Sequence, residues 1–224
     1  MSTNSNDVLT IALSKGRILE ETLPLLEHAD ILPVEDVFTT RKLMVDGPEG
    51  IRFLIIRAAD VCTYVERGAA DMGIVGRDLL LEWRPQVFEP LDLKIGACRL
   101  CVAGPEASVA QGKPEAGSRV RIATKYDYLA KQYYMKQSVQ ADIIHLYGSM
   151  ELAPLVGMAD RIFDVVSTGG TLRANGLVEE ESLYEITSRL IVNPVSFAMK
   201  KGLIQPMIEH LREAVALRVA AEEK

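Results

Sequence analysis

Short apolar runs alternate with amphipathic stretches along most of this 224-residue chain. The apolar runs predict strands at VLTIAL (8–13), KLMV (42–45), IRFLII (51–56), DMGIV (71–75), RIAT (121–124), ADIIHLY (141–147) and RIFDVV (161–166). Between them the spacing turns helical. One helix is predicted from near Gly16, with Ile18, Leu19, Thr22, Leu23 and Leu26 on one face and a kink at Pro24. A second spans 126–138, where Tyr126, Leu129, Ala130, Tyr133 and Tyr134 form a stripe. A last one starts at about Leu203, with Pro206 in its first turn and Ile204, Met207, Ile208, Leu211 and Val215 inward. Strands alternating with helices predict an α/β fold.

Two stretches break the rhythm. GPEASVAQGKPEAGS (104–118) is rich in Gly, Pro and small residues and reads as a loop or linker. SLYEITSRLIVNPV (182–195) is a long β-rich run. Strand-like crossings near 92–103 and 183–193 divide the chain into two lobes. The expected division is 1–98 plus 191–224 against 99–190. No internal repeat or low-complexity tract is visible.

Composition narrows the function. With 48% hydrophobic and 25% charged residues the chain is globular, and a net charge of -6 disfavours a nucleic-acid partner. Residues 1–7 (MSTNSND) are polar, with no basic stretch and no apolar run behind them, so they do not read as a signal peptide. No run approaches about 18 apolar residues, so no membrane span is expected and the location reads as cytoplasmic. Cys98 and Cys101 have C-x-x-C spacing, but no second Cys or His pair lies near, and GACRLCVAG reads as a strand. With Cys62 they read as reduced thiols in or near a sheet. His28, His145 and His210 show no metal spacing, and no Ser–His–Asp or Cys–His set can be argued.

The strongest chemical signal is FDVVSTGGTLRANG (163–176). An apolar strand ends in Ser167-Thr168-Gly169-Gly170-Thr171, followed by helix-like TLRAN. Glycines let backbone amides turn inward, and the hydroxyls can donate to phosphate oxygens. A tight turn is the competing reading. Asp164, just before the loop, can reach the hydroxyls of a sugar whose phosphate sits in it, which suggests a phosphoribosyl group. Upstream, Ser149 can cap a helix and Glu151 falls in its first turn, so Glu151 reads either as a helix-start acid or as a ligand group beside the loop. Near the N-terminus Lys15 and Arg17 flank Gly16 at a strand-to-helix junction, where acids are the usual occupants. They read as solvated side chains or as anion ligands. Arg41, Lys42 and Arg57 add to a basic pocket in an acidic protein. Asp60 and Asp71 read as helix-capping or surface acids, and Asp78, after IVGR, as one that can instead face the cleft.

Taken together, IALSKGRILEETLPLLE, RKLMV, ADVCTYVERGAADMGIVGRDLLLE, LDLKIGACRL, LYGSMELAPLVGMADRIFDVVSTGGTLRANGL and SRLIVNP resemble the ATP phosphoribosyltransferase family over nearly all of 8–224. The segment Glu151 through Leu172 is the most specific part. Phe163 before Asp164 departs from the two adjacent acids of the common phosphoribosyltransferase class and matches this family instead. The resemblance implies a two-lobed, periplasmic-binding-protein-like fold of the second type, with the active site in the interlobe cleft. One lobe would serve ATP and dimerisation, the other phosphoribosyl pyrophosphate. It implies transfer of phosphoribosyl to N1 of the ATP adenine, with Mg²⁺, as the first step of histidine biosynthesis. By resemblance, Arg17 and Arg41 act on the departing pyrophosphate, Arg41 across a homodimer. Lys15, Gly16, Arg57 and Asp78 bind ATP or pyrophosphate. Glu151 and Asp164 hold the ribose, and Ser167, Thr168, Gly169, Gly170, Thr171 and Leu172 the 5-phosphate. Cys62 stands where many members have proline. The chain lacks the long form's C-terminal histidine-binding domain, so the short form is implied. Such a form works with a regulatory subunit resembling histidyl-tRNA synthetase, in a hetero-octamer.

Two rivals remain at this level. A solute-binding protein shares the fold class but has little reason to pair Asp164 with a phosphate loop. A catalytically dead regulatory homologue should have lost the loop glycines or the charges, and both are present.

Overall fold

The computed structural model describes residues 8–48 and 50–222. The expectation for residues 1–7 lies outside them. The chain forms two compact units, one holding the stretch to Gly96 and the stretch from Thr187 onward, the other Ala97–Ile186. These boundaries fall a few residues before 98/99 and 190/191, because the strand starting at Ser188 pairs with the first unit's sheet along its whole length.

The first unit begins with β1 (Leu9–Ser14), α1 (Arg17–His28), β2 (Met44–Asp46), β3 (Ile51–Ile56), α2 (Ala58–Glu66), β4 (Met72–Gly76), α3 (Arg77–Trp83) and β5 (Phe88–Asp92). The second unit follows as β6 (Cys98–Pro105), α4 (Glu106–Val109), β7 (Arg119–Thr124), α5 (Asp127–Lys136), β8 (Gln140–His145), α6 (Leu152–Leu155), β9 (Arg161–Val166), α7 (Gly170–Ala174) and β10 (Leu177–Ile186). The chain then returns to the first unit with β11 (Ser188–Val192), α8 (Pro194–Met199) and α9 (Lys201–Glu222).

The first unit's six-stranded sheet has the order β2-β3-β1-β4-β11-β5. β1 runs parallel to β3 and β4, while β2 and β11 are antiparallel to their neighbours. The second unit's five-stranded sheet has the order β10-β6-β9-β7-β8, with β8, β7 and β9 parallel. In both, the parallel strands end on one edge, and their following loops emerge together there.

The core of the first unit joins the sheet to the helices: Leu9, Ile11, Leu13, Phe53 and Ile55 pack with Leu19, Leu25 and Leu26 of α1 and with Ile204, Met207, Ile208 and Leu211 of α9. α1 continues through Pro24 without a break. Pro24 and Glu20, whose carbonyl loses its helical donor, both face solvent, where the loss of the bond is tolerated. α9 starts at Lys201, earlier than expected, which moves Pro206 out of the first turn; Gly202, four residues before it, is likewise exposed. The 104–118 stretch is not all loop: it completes β6 and forms the short α4 before the irregular part. The 182–195 run is two strands in two different sheets, broken at Thr187.

Asp71 is neither a surface acid nor a helix cap. It is 5% exposed, accepts a bond from the Thr10 amide at 2.8 Å, and pairs with Lys200. Its local sequence looks like a loop before a strand. Burial comes from the helices added 129 residues later. Among the described residues no helix is long and apolar enough to cross a membrane.

Candidate active site

On the first unit, the carboxyl ends of β3, β1 and β4 lead into α2, α1 and α3. Ligands of open α/β sheets gather at this edge. A cavity of about 600 Å³ opens there, lined by Lys15, Leu43, Ile55, Ile56, Arg57, Ala58, Asp60 and Tyr64. Its size suits a nucleotide-scale ligand. Lys15 and Arg57 thus come together although they lie on different junctions. Arg57 occupies the N-cap position of α2 but makes no side-chain cap there. Leu43 reaches the cavity because β2 runs antiparallel to β3, with its carbonyl accepting from Ile55 at 2.8 Å. Arg41, two residues earlier, is exposed, and Lys42 beside it pairs with Glu35.

Gly16 takes φ 91°, a left-handed value that glycine tolerates, and so lets β1 turn directly into α1. Arg17 follows, exposed, with its Nε 3.5 Å from Glu21 one helical turn on. Asp78 lies half-buried in the first turn of α3 and does not line the cavity. Asp60 does line it, from the first turn of α2. Nearby, burial first, and then the Asp78 charge, push the Cys62 thiol up to about 12.

On the second unit, Glu151 and Val165 through Leu172 enclose a cavity of about 120 Å³, room for a phosphoryl group. Gly169 sits at φ 72°, ψ 8°, immediately before α7. Ser167, Thr168 and Thr171 are exposed, and Thr168 Oγ1 accepts from the Gly170 amide at 3.4 Å, whereas Leu172 is buried in the unit's core and can offer only its amide. Glu151 is itself the N-cap residue of α6 and makes no capping bond. Ser149 does not cap the helix with its side chain; it adopts φ 52° and its carbonyl accepts from the Leu152 amide at 3.1 Å.

Asp164 lies on β9, three residues below the loop, half-buried. One carboxylate oxygen accepts from the Val165 amide at 2.8 Å and stands 3.9 Å from the Lys125 ammonium. Lys125 is a residue the sequence reading passed over. It follows β7, which runs beside β9 with Thr124 opposite Phe163, so its ammonium arrives next to Asp164. The ammonium also lies 4.9 Å from the centre of the Tyr126 ring. The available signal was its place at a third strand-to-helix junction, the same setting as Lys15. Cys101 pairs across the sheet with Asp164. Burial, and then the Glu179 charge, push its thiol up to about 12. None of the three cysteines is in a disulfide.

At the parallel-strand edge of each α/β unit, charged side chains gather beside backbone amides, an arrangement suited to phosphorylated ligands. The family model described as HisG, ATP phosphoribosyltransferase, matches residues 57–213. An ATP phosphoribosyltransferase of Pseudomonas aeruginosa is 54% identical over 213 residues, spanning 94% of this chain and 99% of its own. That of Ectopseudomonas mendocina is 55% identical over the same share. A chain of the ATP phosphoribosyl transferase (HisG:HisZ) complex from Thermotoga maritima superposes with a TM-score of 0.80 at 31% identity, covering 93% of this chain and 99% of that one. The aliphatic sulphonate binding protein SsuA from Escherichia coli matches with a TM-score of 0.58 at 13% identity, over 97% of this chain and 75% of that one, a likeness of fold alone. The chain belongs to the ATP phosphoribosyltransferase family.

Proposed function

We propose that this chain transfers the phosphoribosyl group of phosphoribosyl pyrophosphate to N1 of the adenine of ATP, releasing pyrophosphate, at the first step of histidine biosynthesis. The observation that carries the reading is the second unit's small cavity. Glu151 and the loop 167–172 line it together, and Asp164 stands on the strand that feeds it.

The loop amides and the hydroxyls of Ser167, Thr168 and Thr171 would hold the 5-phosphate. Glu151 and Asp164 would accept hydrogen bonds from the ribose hydroxyls. The N1–C1 bond forms as the bond from C1 to the pyrophosphate oxygen breaks, and pyrophosphate leaves with the electron pair. The sugar passes through a cation-like state, as in glycoside cleavage. Positive charge fixed where the leaving group gains negative charge lowers this barrier. Arg17 and Arg41 have that role in the proposal. Lys15, Gly16 and Arg57 would bind ATP or pyrophosphate at the larger cavity, with Leu43 and Tyr64 as its apolar wall. Asp78 would act from the adjacent junction.

Among the described residues no group of three or more His, Cys, Asp or Glu side chains is arranged to hold a metal ion. Mg²⁺ would arrive as a companion of the substrate's pyrophosphate, since it is usually held by one or two carboxylates together with substrate phosphates.

The Thermotoga relative comes from a complex with a second protein. We therefore also propose a cytoplasmic homodimer that takes up a regulatory subunit resembling histidyl-tRNA synthetase, as a hetero-octamer. The test of function mixes the purified chain with ATP, phosphoribosyl pyrophosphate and Mg²⁺ and follows the adduct's ultraviolet absorbance. Absorbance growth that needs all three supports the reading. No change with ATP, phosphoribosyl pyrophosphate and Mg²⁺ all present, whether the chain is alone or the regulatory subunit is added, overturns it.

A further inference from the structure

The phosphate loop is held from outside its cavity by two arginines. Arg99 Nη1 donates to the Ser167 carbonyl at 2.9 Å, and Arg173 Nη1 donates to the Thr168 carbonyl at 3.1 Å. Their guanidinium groups converge on Gly169: a methyl there would lie 3.0 Å from Arg173 Nη1 and 3.8 Å from Arg99 Nη2. Arg99 is itself fixed. Its Nε donates to both Glu179 carboxylate oxygens at 2.9 and 2.8 Å, and its Nη2 to one of them at 2.6 Å. The sheet register creates this arrangement. Arg99 on β6 is paired with Val166, the last residue of β9, so its side chain leaves the sheet at the root of the loop. Glu179 on β10 is paired with Ala103, which shares a face with Arg99 because the two lie four positions apart on one strand.

A trans peptide unit points its C=O and its following N–H in opposite directions. Drawing the carbonyls of Ser167 and Thr168 toward the two guanidinium groups therefore turns the amides of Thr168 and Gly169 the other way. We propose that Arg99, clamped by Glu179, is a positioning residue that pre-sets the loop amides for the 5-phosphate, with Arg173 as its counterpart on α7. The proposal rests on the assignment of this loop to phosphate. Arg99 acts through the loop rather than as a phosphate ligand, since its charge is already matched by Glu179. Pre-set donors need no reorganisation when the anion arrives, which is where the affinity comes from.

The clamp separates this role from direct contact. Glu179→Gln keeps the Arg99 charge and frees it; a direct ligand would then bind the anion as well or better. A positioning residue loses its aim. Arg99→Lys keeps the charge but lacks the planar fork that reaches carboxylate and carbonyl together. Steady-state kinetics on the full chain, with ATP and phosphoribosyl pyrophosphate varied separately, reads the difference. Expected are a KM for phosphoribosyl pyrophosphate raised about tenfold in Arg99→Met, a rise in the same direction in Glu179→Gln, little rescue by Arg99→Lys, and a KM for ATP within about twofold of the parent. Thermal unfolding identifies any variant that fails to fold, and Glu179→Gln, the most conservative, carries the conclusion. An unchanged or lower KM for phosphoribosyl pyrophosphate in Glu179→Gln, full rescue by Arg99→Lys, or an equal rise in the KM for ATP overturns the proposal. An inactive parent chain would instead overturn the assignment of function.

Discussion

The Lys200 ammonium lies 2.8 Å from a carboxylate oxygen of Asp71, and the two side chains keep only 13% and 7% of their surface exposed. The same oxygen accepts from the Thr10 amide, and Lys200 also donates to the Val8 carbonyl at 2.7 Å. One buried pair therefore joins the start of β1, the start of β4 and the entry to α9. Removing one partner of such a pair leaves a buried charge unmatched, which costs about 3–5 kcal/mol. Lys200→Met should lower the urea midpoint accordingly. Lys200→Met combined with Asp71→Asn should lose less than the two single losses added together. A double variant that loses the full sum would show that the two groups act independently.

Asp164→Asn keeps the shape of the side chain but removes its charge beside Lys125. The expected result is a higher KM for phosphoribosyl pyrophosphate and a lower kcat, with an unchanged circular dichroism spectrum. Near-parent kinetics would remove Asp164 from the ribose site.

Arg41 is exposed, so replacing it should not disturb the fold. If it stabilises pyrophosphate mainly as it departs, Arg41→Ala should lower kcat more than it raises KM, by about 2–4 kcal/mol in activation free energy. An unchanged kcat with weaker ATP binding would reassign it to the bound ground state.

The cysteines should differ in reactivity. Burial pushes Cys62 and Cys101 up to about 12, so both remain protonated at about pH 8, where a thiolate reagent works. Cys98, at the first position of β6, is less buried. A disulfide reagent should therefore modify Cys98 first in the folded chain and all three thiols only in denaturant. Equal rates at all three would contradict the burial seen here.

Acid should weaken the second unit. Hydrogen bonding from Arg121 holds the Asp160 carboxyl below its ordinary value, and bonding from Lys113 and then Tyr133 does the same for Glu181. A carboxyl lowered on folding adds stability that is present above its unfolded value, near about 4, and is lost as the pH falls through the folded one. Both groups are partly exposed, so screening makes the effect modest. Asp160→Asn should flatten the loss of thermal stability between neutral and acid pH. An unchanged slope would count against the pair's contribution.

Much of this was legible in order along the chain. The strand into the Ser167–Thr171 loop and the junction at Lys15-Gly16-Arg17 are local patterns, in which apolar spacing and turn residues act within a few positions. What the sequence hid depends on register. Arg99 looks like one charge in a cysteine-bearing strand, and only the pairing of β6 with both β9 and β10 brings it to Ser167 and Glu179, which lie 68 and 80 residues away. Asp71 was misread for the same reason: its partner Lys200 belongs to helices that come much later. Lys125 stood at a visible junction, but its acid, Asp164, is on a strand not adjacent in sequence.

The sheet order also bears on synthesis. β11 lies between β4 and β5, and among the described residues β5 has no other strand beside it. As the polypeptide emerges from the ribosome, β1 to β4 can pair early, but β5 must wait with an empty slot at its side. The second unit, by contrast, is one continuous stretch and is complete before β11 is made. Domains of a nascent chain usually mature from the N-terminus onward. Here the later-encoded unit can close first, and the earlier one must keep a strand-wide opening until Ser188–Val192 has been made.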